Sequence, residues 1–223
     1  MNTKTSKDGK VIFNEEDHTY FLGEKQLMSV TTFIGRYKRE FKTNEVARNY
    51  ASKRGLNVAD VLAEWQEKGD VARAQGNSIH KIFEDYHNTG VIKGEGKYPK
   101  EEPAIKFIED FFVSGRLVPI ESEYIVYNQK YAGQIDCIAI NKHKEYFILD
   151  WKTNNKIDRE SYGGRNMKLK FYKYPDCNFF HYSIQQTMYN QLCVEYDIKE
   201  CFIVHIGEES YEVLPIEKID LKL

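Results

Sequence analysis

The stretch Glu145-Tyr-Phe-Ile-Leu-Asp-Trp-Lys152 decides the fold, read together with Gly133-Gln-Ile-Asp-Cys-Ile-Ala-Ile140 just before it. Tyr146 to Leu149 is wholly apolar and ends on a charged pair, and Ile135 to Ile140 is a second apolar run that carries Asp136 near its start. Separated by the polar break Asn141-Lys-His-Lys144, these runs predict two adjacent β-strands. If they pair antiparallel, the start of the first lies beside the end of the second, and Asp136 and Asp150 become neighbours across the ladder. Two carboxylates so placed repel one another unless a cation lies between them. The pattern Asp-x-Lys is cheap by itself, since it recurs at Asp197-Ile-Lys199 and Asp220-Leu-Lys222. What distinguishes Asp150-Trp-Lys152 is the apolar strand directly before it, where a charge is costly unless something uses it.

Working outward, Glu121 to Asn128 reads as the strand before the Gly133 turn, with Glu121 and Glu123 on one face. Gln75-Gly-Asn-Ser-Ile-His80-Lys-Ile-Phe-Glu84-Asp-Tyr predicts a helix starting at Gly76-Asn77-Ser78, with Asn77 or Ser78 as its N-cap. His80 and Glu84 share one face of it; Ile79, Ile82, Phe83 and Tyr86 are apolar, so His80 taken alone reads as a half-buried core histidine. Tyr182-Ser-Ile-Gln185-Gln-Thr-Met-Tyr189 lies in an amphipathic segment running to Tyr196 and sets Gln185 and Tyr189 on one face. The remaining chain predicts an N-terminal hairpin around Gly23 (18–22 and 26–30) and helices over 30–37, 44–54, 58–74 and 103–114. Terminal strands are expected over 201–206 and 211–216, and a Gly- and Lys-rich loop over 90–100.

Taken in order, His80 with Glu84, Glu121, Gly133-x-x-Asp136, Asp150-x-Lys152 and Gln185-x-x-x-Tyr189 resemble the motif series of the PD-(D/E)XK nucleases. The resemblance is to the RecB-like branch, and to phage exonucleases and the mitochondrial genome maintenance exonuclease within it. It implies an α/β restriction-endonuclease-like core, a mixed central sheet flanked by helices, here with an N-terminal hairpin and helical additions. It also implies Mg²⁺ or Mn²⁺ as cofactor. Asp136, Asp150 and the main-chain carbonyl of Trp151 suit the hard, oxygen-preferring Mg²⁺, while His80 as a further ligand favours Mn²⁺. A ligating His80 must be neutral, so activity is expected to fall as the pH drops towards its pKa. Lys152 is expected against the attacking water or the scissile phosphate. Glu121 is expected to hold a water of the cation's shell or to orient Lys152, with Glu123 open as the alternative. By the same resemblance Gln185 orients the lysine or a phosphate, and Tyr189 contacts the DNA backbone.

The 223 residues suit one domain, divided as 1–74 (hairpin and helices) and 75–223 (catalytic core). A polar Met1 to Lys10 and the lack of any bilayer-length apolar run lead us to expect a cytoplasmic protein without a membrane partner. Cys137, Cys177, Cys193 and Cys201 all follow Asp136 without tight ligand spacing, so no iron–sulfur cluster is expected. Net charge is only −2, but Lys152, Lys156, Arg159, Arg165, Lys168, Lys170 and Lys173 crowd 151–174, interleaved with Tyr162, Phe171 and Tyr172. Such a segment can neutralise phosphates and stack unpaired bases. The expected function is metal-dependent exonucleolytic hydrolysis of single-stranded or end-frayed DNA, with a helicase or recombinase as possible partner. The alternatives are a non-cleaving DNA-binding accessory module and a structure-specific endonuclease of the same fold.

Overall fold

Strand β6 (Tyr131–Ile140) lies at the centre of the molecule, and β7 (Tyr146–Lys152) pairs antiparallel with it from Cys137 opposite Leu149 to Ile140 opposite Tyr146. The computed structural model describes residues 3–221, which build an α/β fold around one mixed, mostly antiparallel sheet of nine strands. Before β6 come β1 (Thr3–Thr5), β2 (Val11–Asn14), β3 (Thr19–Leu22) and β4 (Lys25–Ser29), then β5 (Val118–Tyr127). After β7 come β8 (Ile198–Ile206) and β9 (Tyr211–Pro215). β5 runs antiparallel along one edge of β6, from Val118 opposite Ile140 to Tyr127 opposite Ala132. The other edge is shared: β4 pairs parallel at Tyr131 and Ala132, β7 antiparallel from Cys137 on, and Gly133 to Asp136 lies between them. β8 then adds parallel to β7, and β9 antiparallel to β8.

Five α-helices are present among the described residues: α1 (Val30–Gly35), α2 (Thr43–Arg54), α3 (Val58–Thr89), α4 (Glu101–Phe107) and α5 (Asn178–Leu192). One face of the sheet packs Ile138 and Ile148 with Ile184 and Met188 of α5 and Phe33 of α1. The other packs Cys137, Leu149 and Trp151 with Ile79 and Phe83 of α3 and Phe107 of α4. Ile148 and Leu149 therefore serve opposite faces, which explains the continuous apolar run: a strand covered on both sides has no solvent face to alternate with. The Trp151 indole stacks on Phe83 at 3.8 Å and 10° and pins the end of β7 to α3.

α3 differs from expectation. Its 32 residues run without interruption through Gly76-Asn77-Ser78, and the cap is Asn57, whose side chain accepts from the Ala59 amide. The 74/75 division therefore falls inside a helix. The exit of β7 passes close to Gly76, where a Cβ would lie 3.3 Å from Thr153 Oγ1. Ser78 caps nothing and donates instead to Glu101. The helix expected over 103–114 becomes α4 followed by a π-helix (Ile108–Val113). No helix among the described residues is long and apolar enough to cross a membrane.

Candidate metal centre

Asp136 and Asp150 continue the register set by Cys137 and Leu149, one step beyond the last ladder pair. Asp136 Oδ2 accepts a hydrogen bond from the Trp151 amide at 2.8 Å, which closes the β6–β7 junction with a side chain where a backbone rung would otherwise sit. An extended residue turns its N–H and C=O to the same edge. The Trp151 carbonyl accordingly faces the same opening.

β5 supplies the third carboxylate through an irregularity. Glu123 has φ +51, a left-handed conformation uncommon for any residue with a side chain. The kink interrupts the alternation of both strands. Ile135 and Ile138, three residues apart on β6, join the same core cluster. Glu123 is thereby turned into the opening, its Oε1 3.6 Å from His80 Nδ1, while His80 Nε2 lies 3.8 Å from Asp136 Oδ2. Ligand atoms of His80, Glu123 and Asp136 all lie within 4.8 Å of one another, near enough for a single ion to touch all three.

Glu121, two residues earlier, lies elsewhere. Its carboxylate accepts from Lys7 at 2.5 Å and from the Tyr196 hydroxyl, and so it ties the N-terminal segment to the chain beyond α5. The structure places Glu123, not Glu121, with His80 and Asp136. Alternation alone put the two glutamates on one face and offered no means of separating them. Glu84 also lies outside, paired with Lys4 at 3.3 Å.

Asp150 is 1 % exposed, and its Oδ1 has no hydrogen-bond partner. The Lys152 ammonium lies against Oδ2 as an ion pair. Buried charges of this kind are costly, and both titrate accordingly. Burial pushes the Asp150 carboxyl up to about 6, with repulsion from Asp136 added and Lys152 opposing. Burial likewise raises Asp136, against the pull of His80 and Lys152. Burial works against charge on His80, yet Asp136 and Glu123 outweigh it and lift the imidazole to about 9. Lys152 is held charged by Asp150 and Asp136 in spite of its burial. His80, Glu123 and Asp136 could offer a cation one nitrogen and two carboxylates, while Asp150 lies outside that close group with its Oδ2 against Lys152.

α5 frames the site from the other side. Gln185 Nε2 donates to the Tyr189 hydroxyl at 2.9 Å. Tyr189 is buried, with its ring against Gly133, where a Cβ would come within 2.3 Å of Cε1. Tyr189 thus lies 4 % exposed in the core, with its hydroxyl accepting from Gln185, rather than on the open surface. One turn earlier, the Tyr182 ring faces the Lys152 ammonium, a neighbour that the sequence reading passed over. Tyr20 of β3 is also close enough for Glu123 and Asp136 to raise its hydroxyl pKa, after burial.

The basic segment after β7 is less free than its composition suggests. Lys156 pairs with Asp158 at 2.6 Å, the Arg159 guanidinium lies 3.8 Å over Phe179, and Lys170 sits 4.4 Å over Phe33 with Tyr37 and Phe171 around it. Arg165, Lys168 and Lys173 form no ion pair among the described residues and are exposed, Lys173 lying 6.0 Å over the Tyr172 ring. The segment is held down by Lys168 N donating to Tyr37 O at 2.8 Å and Arg39 Nε to Asn166 O at 2.6 Å.

Fold and site together define an α/β protein with a half-open His–Glu–Asp–Asp–Lys centre at a fork in its sheet. No protein-family model matches the chain, and no curated protein matches it. Among solved structures it is similar to one described as "Crystal structure of SSO0001", at 14% identity, covering 90% of this chain and 71% of that one, with a TM-score of 0.36. A likeness of that size carries no argument about fold or function.

Proposed function

We propose that the chain is a metal-dependent deoxyribonuclease with a PD-(D/E)XK-type core, acting as an exonuclease on single-stranded or end-frayed DNA. The observation that carries this reading is Asp150: a buried carboxylate set beside Asp136, with one oxygen against the Lys152 ammonium and the other without a hydrogen-bond partner. A protein that merely bound DNA would have no use for two repelling carboxylates held in its interior. His80, Glu123, Asp136, Asp150 and the Trp151 carbonyl would hold the cation. A divalent cation there supplies positive charge to a phosphate oxygen and lowers the pKa of water. Lys152 balances the negative charge that grows on the phosphate during displacement. Gln185, whose amide is bonded to the Tyr189 hydroxyl, would orient a phosphate oxygen. Arg165, Lys168 and Lys173 supply backbone charge neutralisation away from the centre.

The test compares the wild type with Asp150→Ala on matched linear and circular single-stranded DNA and on linear duplex, in Mg²⁺, Mn²⁺ or EDTA. Metal-dependent loss of linear but not circular DNA, absent in the variant, is the expected result. Cutting of the circle would replace the exonuclease with an endonuclease, and DNA binding without cleavage in any metal would sink the catalytic reading.

A further inference from the structure

Three side chains from three different elements hold the segment directly after Lys152. Lys100, at the start of α4 and itself buried, donates from Nζ to Thr153 O at 2.6 Å. His205 of β8 donates from Nε2 to Asn154 O at 2.7 Å. Tyr182 of α5 donates its hydroxyl to Asn154 Oδ1 at 2.6 Å. The last bond has a second effect, because it fixes the plane of a ring whose centroid lies 4.9 Å from Lys152 Nζ. An ammonium at that distance from an aromatic face is attracted by the ring quadrupole, the more so where both are shielded from water.

Lys152 thus has two contacts of different kinds, the Asp150 carboxylate and the Tyr182 ring. Asp150 cannot give both oxygens to a cation and keep its ion pair with Lys152 undiminished. The ring makes no such exchange, since it has no part in holding the ion.

We propose that Tyr182 is the positioning residue of Lys152: its ring face, set by the hydrogen bond to Asn154, keeps the ammonium in the site when Asp150 is engaged by a cation. The kinetic arm of the test rests on the nuclease reading; the labelling arm does not. Wild type, Tyr182→Phe, Tyr182→Met and Asn154→Ala are compared by three measurements. The first is Mn²⁺ affinity by calorimetry. The second is the rate at which an amine-reactive ester acylates Lys152, followed by mass spectrometry with and without Mn²⁺. The third is cleavage of linear single-stranded DNA, resolved into kcat and KM.

Tyr182→Phe keeps the ring but loses its hydrogen bond to Asn154, so in all three it is expected to lie between wild type and Tyr182→Met. Tyr182→Met fills similar space without a quadrupole, and its kcat is expected to fall about tenfold with KM and Mn²⁺ affinity unchanged. Its Lys152 should acylate several times faster, most clearly in Mn²⁺, and Asn154→Ala should lie between. Wild-type labelling of Lys152 in Tyr182→Met overturns the proposal, as does a Tyr182→Phe variant that fails as badly as Tyr182→Met. If the wild type cleaves nothing, the nuclease reading falls while the labelling rates still decide what Tyr182 does.

Discussion

Glu121 and Glu123 carry the same carboxylate two residues apart, yet one braces the N-terminal segment through Lys7 and Tyr196 and the other faces His80. The backbone separates them: Glu123 alone adopts the left-handed φ that turns its side chain into the opening. The expected outcome of Glu123→Gln is therefore a loss of Mn²⁺ affinity of about tenfold or more, with Glu121→Gln within about twofold of wild type. Calorimetric titration of both variants checks this, and the reverse order would restore Glu121 to the centre. His80 offers a second test through pH. Its folded-state pKa of about 9 lies above the ordinary 6.5. Its charged form thus stabilises the metal-free protein fully below pH 6.5, and that contribution is lost as the pH climbs through 9. In EDTA, His80→Ala should cost more stability at pH 6 than at pH 9.5, read as the difference in denaturation midpoint. A divalent cation needs the neutral ring, so Mn²⁺ affinity should rise with pH over the same interval and binding at pH 7 should release protons.

At the scale of elements, the contact between β6 and α5 is made where a strand residue has no side chain. In Gly133→Ala the new methyl would meet the Tyr189 ring, a buried group with no room to yield. Overpacking of this kind typically costs about 1–3 kcal/mol, and chemical denaturation should show a loss in that range. Cleavage should suffer as well, because displacing Tyr189 displaces the Gln185 amide bonded to it. The central strands were legible because Tyr146-Phe-Ile-Leu149 and Ile135 to Ile140 are apolar enough to require cover on both faces. β1 and β2 were not legible: Thr3–Thr5 and Val11–Asn14 are three and four residues long, and only tertiary pairing makes them strands. The run Gly76-Asn77-Ser78 carries the chemistry of a helix start, yet α3 is capped at Asn57 and continues through it. Of the site, Asp136, Asp150 and Lys152 stood out by their places at the ends of apolar strands, while His80, which alone reads as a core histidine, entered only through the resemblance. Glu123 could not, since a left-handed residue inside a strand leaves no mark in the residue pattern. Tyr182 was hidden differently: nothing local to it announces that β7 will end beneath its ring.

For the whole molecule, charge counts mislead unless each cation is followed to its neighbour. Among the seven basic residues of 151–174, Lys152 lies in the site, and Lys156, Arg159 and Lys170 are engaged by an acid or by aromatic rings. Lys173 lies 6.0 Å over the Tyr172 ring, which leaves Arg165 and Lys168 free to meet phosphates. If the chain binds single-stranded DNA through them, replacing Lys168 by Ala should lower the slope of log affinity against log salt by about 0.7. Lys170→Ala should leave that slope unchanged and instead loosen the packing of Phe33, Tyr37 and Phe171. Equal slopes for both variants, measured by fluorescence anisotropy across a salt series, would remove this segment from the binding surface.

The shared edge of β6 has a mechanical consequence. Where two strands leave one strand at different points along its length, the space between them is a throat whose width follows the angle of the arms. One arm, β7, is clamped by sheet and helices on every side. The other belongs to the β1–β4 ribbon, and Asp136 lies on the stretch of β6 between the two arms, on an edge that neither strand covers.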